Sequence, residues 1–172
     1  MSRFIEIVEV GPRDGLQNEK TLLSVDEKLD FVRRLEAAGV KRIEAVSFVN
    51  PKRVPQMAGA EEVMAGLPKT PGRSRIGLVL NRRGWERAIE AGCDEANLVI
   101  CASDAFGIRN QGANRAEQIE GLKAIAAEAG PGRPALSVTI ATAFGCPFEG
   151  EVPEAHVAAV AEASAAARAA EI

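Results

Sequence analysis

The sequence contains no tyrosine, one tryptophan and one histidine, and only 4% of its residues are aromatic. So few flat rings leave no base-stacking surface for single-stranded nucleic acid. The net charge of -3 lacks the excess of basic residues that such a partner demands. A single histidine, His156, excludes any site that needs two imidazoles from these 172 residues. His156 follows Pro153 early in a predicted helix, away from any strand end, which argues against a metal role. Cys93, Cys101 and Cys146 are an odd number of thiols without metal-ligand spacing, and they read as reduced. No apolar run approaches the roughly 20 residues that cross a bilayer. The N-terminus lacks the apolar core of a secretion signal. The expectation is a cytoplasmic protein with neither a nucleic-acid nor a membrane partner. Dinucleotide and P-loop fingerprints are missing after every predicted strand.

What is present is a rhythm. Apolar strands are predicted over residues 4–10, 42–46, 75–80, 95–100 and 135–141. Helices are predicted over 25–38, 55–67, 83–91, 115–129 and 153–170. Ser24 with Glu27 makes a capping box for the first helix, and Gly39 stops it. At 172 residues the chain can form one ordinary domain. Five βα units in strict alternation imply a parallel sheet with right-handed crossovers. Two α/β architectures accommodate that order. One is a finished doubly wound sheet, the other a (β/α)8 TIM barrel truncated after about five units. The missing nucleotide fingerprints shift weight to the barrel.

Chemistry concentrates after the first strand, in Gly11-Pro12-Arg13-Asp14-Gly15-Leu16-Gln17. Adjacent opposite charges at a strand's C-terminal end can hold a cation and an anionic intermediate side by side. Asp14 offers a hard oxygen to Mg²⁺ or Mn²⁺. Arg13 offers planar donors to a developing enolate. The bland alternative is a surface ion pair of small energetic consequence. Glu44 lies inside the apolar second strand and needs a partner. Arg13 on the neighbouring strand is the candidate, with Glu44 either orienting it or forming a buried structural pair. Asn50 to Met57, with two prolines, reads as a rigid connection. Asn81 reads as a helix N-cap. Ser103, Asp104 and Asn110 fall in a polar loop, and Cys146 reads as a packed, unreactive thiol.

These residues resemble 3-hydroxy-3-methylglutaryl-CoA lyases. The resemblance rests on residues 8–20, on Ile43-Glu44-Ala45-Val46-Ser47-Phe48-Val49-Asn50-Pro51-Lys52 with Val54-Pro55-Gln56-Met57, and on Gly145-Cys146-Pro147-Phe148-Glu149-Gly150. Pro12 and Leu16 stand where Claisen-type synthases of the same superfamily usually carry leucine and an acidic residue. The resemblance implies a TIM barrel, a divalent cation (Mg²⁺ or Mn²⁺) and an acyl-CoA substrate cleaved to acetyl-CoA and acetoacetate. It implies Asp14 as metal ligand, Arg13 and Glu44 as catalytic residues, and Gln17 and Asn110 as substrate-binding. It allows a homo-oligomer. Counterparts of the family's His-x-His ligands, its metal-binding asparagine and its catalytic cysteine are not found. The chain then reads as residues 1–172 of the N-terminal part of one catalytic domain, with little or no lyase activity alone. Two rival readings are a related acyl-CoA aldol or Claisen enzyme and a non-catalytic partial-barrel module.

Overall fold

The computed structural model describes residues 5–172. The elements run β1 (Val8–Glu9), α1 (Val25–Ala37), β2 (Arg42–Ser47), α2 (Ala60–Ala65), β3 (Ser74–Val79), α3 (Arg82–Glu90), β4 (Glu95–Cys101), α4 (Asp104–Gln111), α5 (Arg115–Glu128), β5 (Ala135–Ala141) and α6 (Glu154–Ala166). All strand pairs are parallel, and the sheet order is β1-β2-β3-β4-β5. A doubly wound sheet reverses its strand order at a switch point. This sheet never does, so the doubly wound alternative fails and the architecture is a partial (β/α)8 barrel. Beyond α6 the chain returns beside β5. There Ala170 N–H donates to Leu136 O at 2.7 Å and Val138 N–H to Glu171 O at 3.0 Å, in parallel pairing.

The alternation of strand side chains assigns two faces. Ile43, Ala96, Leu98, Ile100 and Leu136 join one buried cluster with residues from the helices. The helices contribute Val32, Val63, Trp85, Leu122, Ile125 and Val160, all at most 1% exposed. The other face carries Arg42, Glu44, Glu95, Asn97, Ser137 and Thr139, which line a common cavity. Most apolar burial therefore lies between sheet and helices, while the concave face carries this polar row beside Ile76 and Leu78 of β3.

Three elements differ from expectation. The first strand shortens to Val8–Glu9, since an edge strand has a ladder on one side only; Phe4 lies outside the described residues. The helix expected over 55–67 splits into a 3-10 turn, Pro55–Met57, and α2. Gly59 between them has φ +80°, and a Cβ there would lie 2.7 Å from Val25 Cγ2, so only glycine fits. The expected polar loop after β4 is instead α4. Ser103, fully buried, caps it by accepting from Phe106 N–H at 3.2 Å. Asp104 Oδ1 accepts Arg115 N–H at 2.7 Å, which joins α4 to α5.

Gly107 makes the α4–α5 junction possible. Its bare Cα lets Gln118 reach past, donating to Ala113 O at 2.9 Å and accepting Cys101 N–H at 2.8 Å. A methyl at Gly107 would collide with the Gln118 amide and lie 2.6 Å from Ala113 O. Gly107→Ala is expected to lower unfolding stability by about 1–3 kcal/mol, despite alanine's better helix propensity. Urea denaturation measures this, and an unchanged or raised midpoint would contradict the packing argument.

Candidate functional site

The backbone after β1 is wound so tightly that three consecutive amides share one acceptor. Arg13, Asp14 and Gly15 N–H all point at Val10 O, at 3.1, 2.7 and 3.4 Å, in a π-helical turn spanning Gly11–Gly15. Pro12, the second residue of this turn, has its φ fixed by its ring. Gly11 N–H donates to Glu9 Oε1 at 2.7 Å, and a Cβ on Gly11 would press on that oxygen at 2.9 Å. Arg13 and Asp14 are thereby presented together at the strand's C-terminal end.

Glu44 is 3% exposed, and Arg13 Nε donates to its Oε1. Arg13 Nη1 also donates to Asp14 Oδ1 at 2.8 Å. Glu44's other oxygen accepts Asn97 Nδ2 at 3.1 Å, and Thr139 Oγ1 donates to Asn97 Oδ1 at 3.1 Å. A hydrogen-bonded row thus crosses from the β1 turn through β2 and β4 to β5. Sequence reading found the Arg13–Glu44 pair and missed Asn97 and Thr139. Their signal is alternation, because both are polar residues two places from Glu95 and Ser137 on the concave side of their strands.

Above this row opens a cleft of about 1000 Å³. Arg13, Asp14, Gln17 and Asn110 all line it. Glu44 does not; it lies beneath Arg13 in a smaller cavity of about 280 Å³. Four of the five expected site residues therefore converge on the cleft, and the fifth holds one of them from below. Asn50 O accepts Arg53 N–H at 2.9 Å and Val54 N–H at 3.0 Å, which makes the cleft's β2–α2 wall the rigid connection expected. Asn81 caps α3 as expected, accepting Gly84 N–H at 3.0 Å.

Asp14, with its side chain 54% exposed, is the one acidic side chain on the cleft lining. Among the described residues, no three His, Cys, Asp or Glu side chains group to hold a metal ion. The donor set present fits a hard divalent cation at one coordination position, through Asp14.

Cys146 is buried as expected, yet its surroundings favour the thiolate. Burial pulls the thiol upward, but donors outweigh it: Ser103 Oγ at 2.9 Å and the backbone N–H groups of Phe148 and Glu149. The net result lies below the ordinary thiol range. Burial pushes Cys93 up to about 12 and Cys101 up to about 11.

The HMGL-like family pattern matches residues 4–172. The chain is 41% identical over 161 residues to the 3-hydroxy-3-isohexenylglutaryl-CoA/hydroxy-methylglutaryl-CoA lyase of Pseudomonas aeruginosa, covering 94% of this chain and 54% of that protein. It is 40% identical over 157 residues to the hydroxymethylglutaryl-CoA lyase of Pseudomonas mevalonii, covering 91% and 52%. An HMG-CoA lyase structure from Acenitobacter baumannii, in complex with coenzyme A and 3-methylmalate, superposes with a TM-score of 0.92 at 37% identity, over 98% of this chain and 56% of that one. The chain spans about half the length of the curated relatives it matches.

Two outcomes test the site's physical chemistry. Glu44→Ala leaves the Arg13 guanidinium and the Asn97 amide without their shared acceptor, and is expected to cost about 3–5 kcal/mol in urea denaturation; a loss below about 1 kcal/mol would show the pair to be ornamental. Iodoacetamide labelling followed by mass spectrometry is expected to mark Cys146 first near neutral pH, with the rate falling as pH drops through its lowered pKa. Cys93 and Cys101 should react only after unfolding. Ser103→Ala should slow Cys146, and an unaltered rate would disprove the donor argument.

Proposed function

The chain belongs to the HMGL-like family, and we propose that it forms the N-terminal part of a barrel lyase that cleaves 3-hydroxy-3-methylglutaryl-CoA to acetyl-CoA and acetoacetate. The carrying observation is the fixed presentation of Arg13 and Asp14 at the cleft, with Arg13 locked from below by Glu44.

In this reaction the tertiary hydroxyl loses its proton, the neighbouring carbon–carbon bond breaks, and its electron pair moves into the thioester as an enolate. The hydroxyl carbon becomes the ketone of acetoacetate, and a proton added to the enolate carbon completes acetyl-CoA. A divalent cation, Mg²⁺ or Mn²⁺, held in part by Asp14, would supply Lewis acidity toward the substrate oxygens. Arg13 meets the enolate oxygen. Of its five N–H donors one serves Glu44 and one Asp14, which leaves three for a substrate. Because the guanidinium is already fixed, it need not reorganise as the charge develops. Glu44 acts as a positioning residue, since it lies beneath the cleft and touches Arg13. Gln17 and Asn110 offer amide groups to the polar atoms of the acyl portion. The reading makes this a cytoplasmic protein; among the described residues no helix is long and apolar enough to cross a membrane.

The test uses the chain alone and the chain fused to the C-terminal portion of the Pseudomonas mevalonii lyase. With Mn²⁺ and substrate, the 172-residue chain is expected to release no acetoacetate above background. The fusion is expected to turn over. Arg13→Gln in the fusion should lower kcat by about 10²–10³-fold, the usual effect of removing a charge-stabilising donor. A folded, active fusion in which Arg13→Gln loses less than about 10-fold would refute the assignment.

A further inference from the structure

The residue that follows β5 is held in a backbone conformation that its own side chain resists. Thr142 has φ +58°, in the left-handed region. A β-branched side chain is an outlier there, and it persists only where the surroundings impose it. Among the described residues the other left-handed positions belong to glycine, Arg168 apart. Arg168, at φ +56°, has no branch at Cβ and follows α6, at a place where helices commonly stop in this conformation. Glycine at position 142 would remove the strain. It would also remove a hydroxyl.

That hydroxyl sits where β4, β5 and α4 meet. Thr142 Oγ1 donates to Ala141 O at 2.6 Å and accepts Ser103 N–H at 3.3 Å. Ala141 O also accepts Ala102 N–H at 2.9 Å, where the β4–β5 ladder ends. Ser103 is the N-cap of α4. Its own hydroxyl is engaged with Cys146 Sγ and Phe106 N–H, and Glu149 Oε1 accepts Ala105 N–H at 2.9 Å. The amide of the cap is therefore left to Thr142. From this start α4 runs to Asn110 on the wall of the cleft, while Ala141 lines the same cleft from β5. Thr142 is half-buried and does not line the cleft itself. Any effect it has on a bound molecule passes through α4.

We propose that Thr142 is a positioning residue. Its strained turn is kept because the hydroxyl locks the start of α4 to the end of β5, and the lock sets where Asn110 meets the acyl portion of the substrate. This rests on the lyase reading above, and deepens it by naming the residue that fixes one wall of the acyl site.

Three substitutions separate hydroxyl from turn. Thr142→Ser keeps the hydroxyl, Thr142→Val keeps the branch without it, and Thr142→Gly keeps the turn without strain or hydroxyl. Amide hydrogen exchange on the 172-residue chain gives the first readout. Thr142→Val and Thr142→Gly are expected to speed exchange at Ser103 and along α4 by about 10-fold, the weight of one hydrogen bond, while α1 is unchanged and Thr142→Ser matches the parent. Kinetics of the fusion with the Pseudomonas mevalonii C-terminal portion give the second. There Thr142→Val and Thr142→Gly should raise KM about 10-fold at unchanged kcat, since acyl binding is loosened in ground and transition states alike, and Thr142→Ser should restore the parent value. Thr142→Gly added to Asn110→Ala should raise KM no further than Asn110→Ala alone. A Thr142→Gly variant that matches the parent in both readouts overturns the proposal, because a turn alone would then suffice. Faster exchange with an unaltered KM, or KM effects that add to those of Asn110→Ala, overturns the positioning role. A folded parent fusion without turnover sinks the lyase reading, and the exchange rates then uphold or overturn the lock by themselves.

Discussion

A carboxylate sealed inside a sheet dictates much of what surrounds it. Glu44 is 3% exposed, and transferring an ionised carboxylate out of water costs several kcal/mol unless partners replace the lost hydration. Its two oxygens are answered from two directions, by Arg13 Nε and by Asn97 Nδ2. Satisfying the first requires the chain after β1 to stop and wind, so that an arginine four residues past Glu9 points back over β2. The π-helical turn at Gly11–Gly15 does this. Asp14 then follows at the cleft, half-exposed and beside the cation. The pair thought to carry the chemistry is thus placed by the need to bury Glu44 without stranding its charge.

That constraint is also why the site was legible before the fold. An acidic residue inside Ile43-Glu44-Ala45-Val46 is an anomaly that asks for a cation, and an Arg-Asp between glycines on the adjacent strand supplies one. Strand identities and the capped starts of α1 and α3 were readable for a similar reason, since period and cap residues are local signals. What was not readable depends on contacts distant in sequence. Asn97 and Thr139 gain meaning only when β4 and β5 pair in register. Ser103 and Cys146 meet across 43 residues. The helix α4 hid because it is only eight residues long and carries Gly107 in its interior, which propensity counts against. Its delimiters, Ser103 as N-cap and Gly112 with φ +77° as stop, were in plain sight but bracketed no apolar stripe.

Beneath the Glu44 row lies a second charged layer. Arg42 meets both oxygens of Glu95 at 2.8 Å, Glu6 at 3.2 Å and Glu171 at 2.5 Å, while Ser137 Oγ donates to Glu95 at 2.6 Å. The hydrogen bonds to Glu95 foremost, then that to Glu171, hold the Arg42 guanidinium firmly charged. One side chain on β2 thereby ties together the segment before β1, the strand β4 and the segment that follows α6. Barrel interiors are usually filled by branched apolar side chains. Here two tiers of ion pairs and amides share the interior with the buried Ile76 and Leu78 of β3.

Such a filling constrains the sheet differently from an apolar one. Apolar side chains of similar volume tolerate exchange and small shifts. A tier of charges does not, because sliding a strand by one residue turns its side chains to the other face. For β2 such a slip would drive Arg42 and Glu44 toward the helix face, where α2 contributes the buried Val63 and Met64, and leave Glu95 facing no cation. The energetic return of each buried pair over an apolar substitute is small or negative, so net stability does not explain the arrangement. Register does. The same two-residue offset across β3 that lets Arg42 reach Glu95 lets Glu44 reach Asn97, and the second of these pairs sets the height at which Arg13 reaches the cleft.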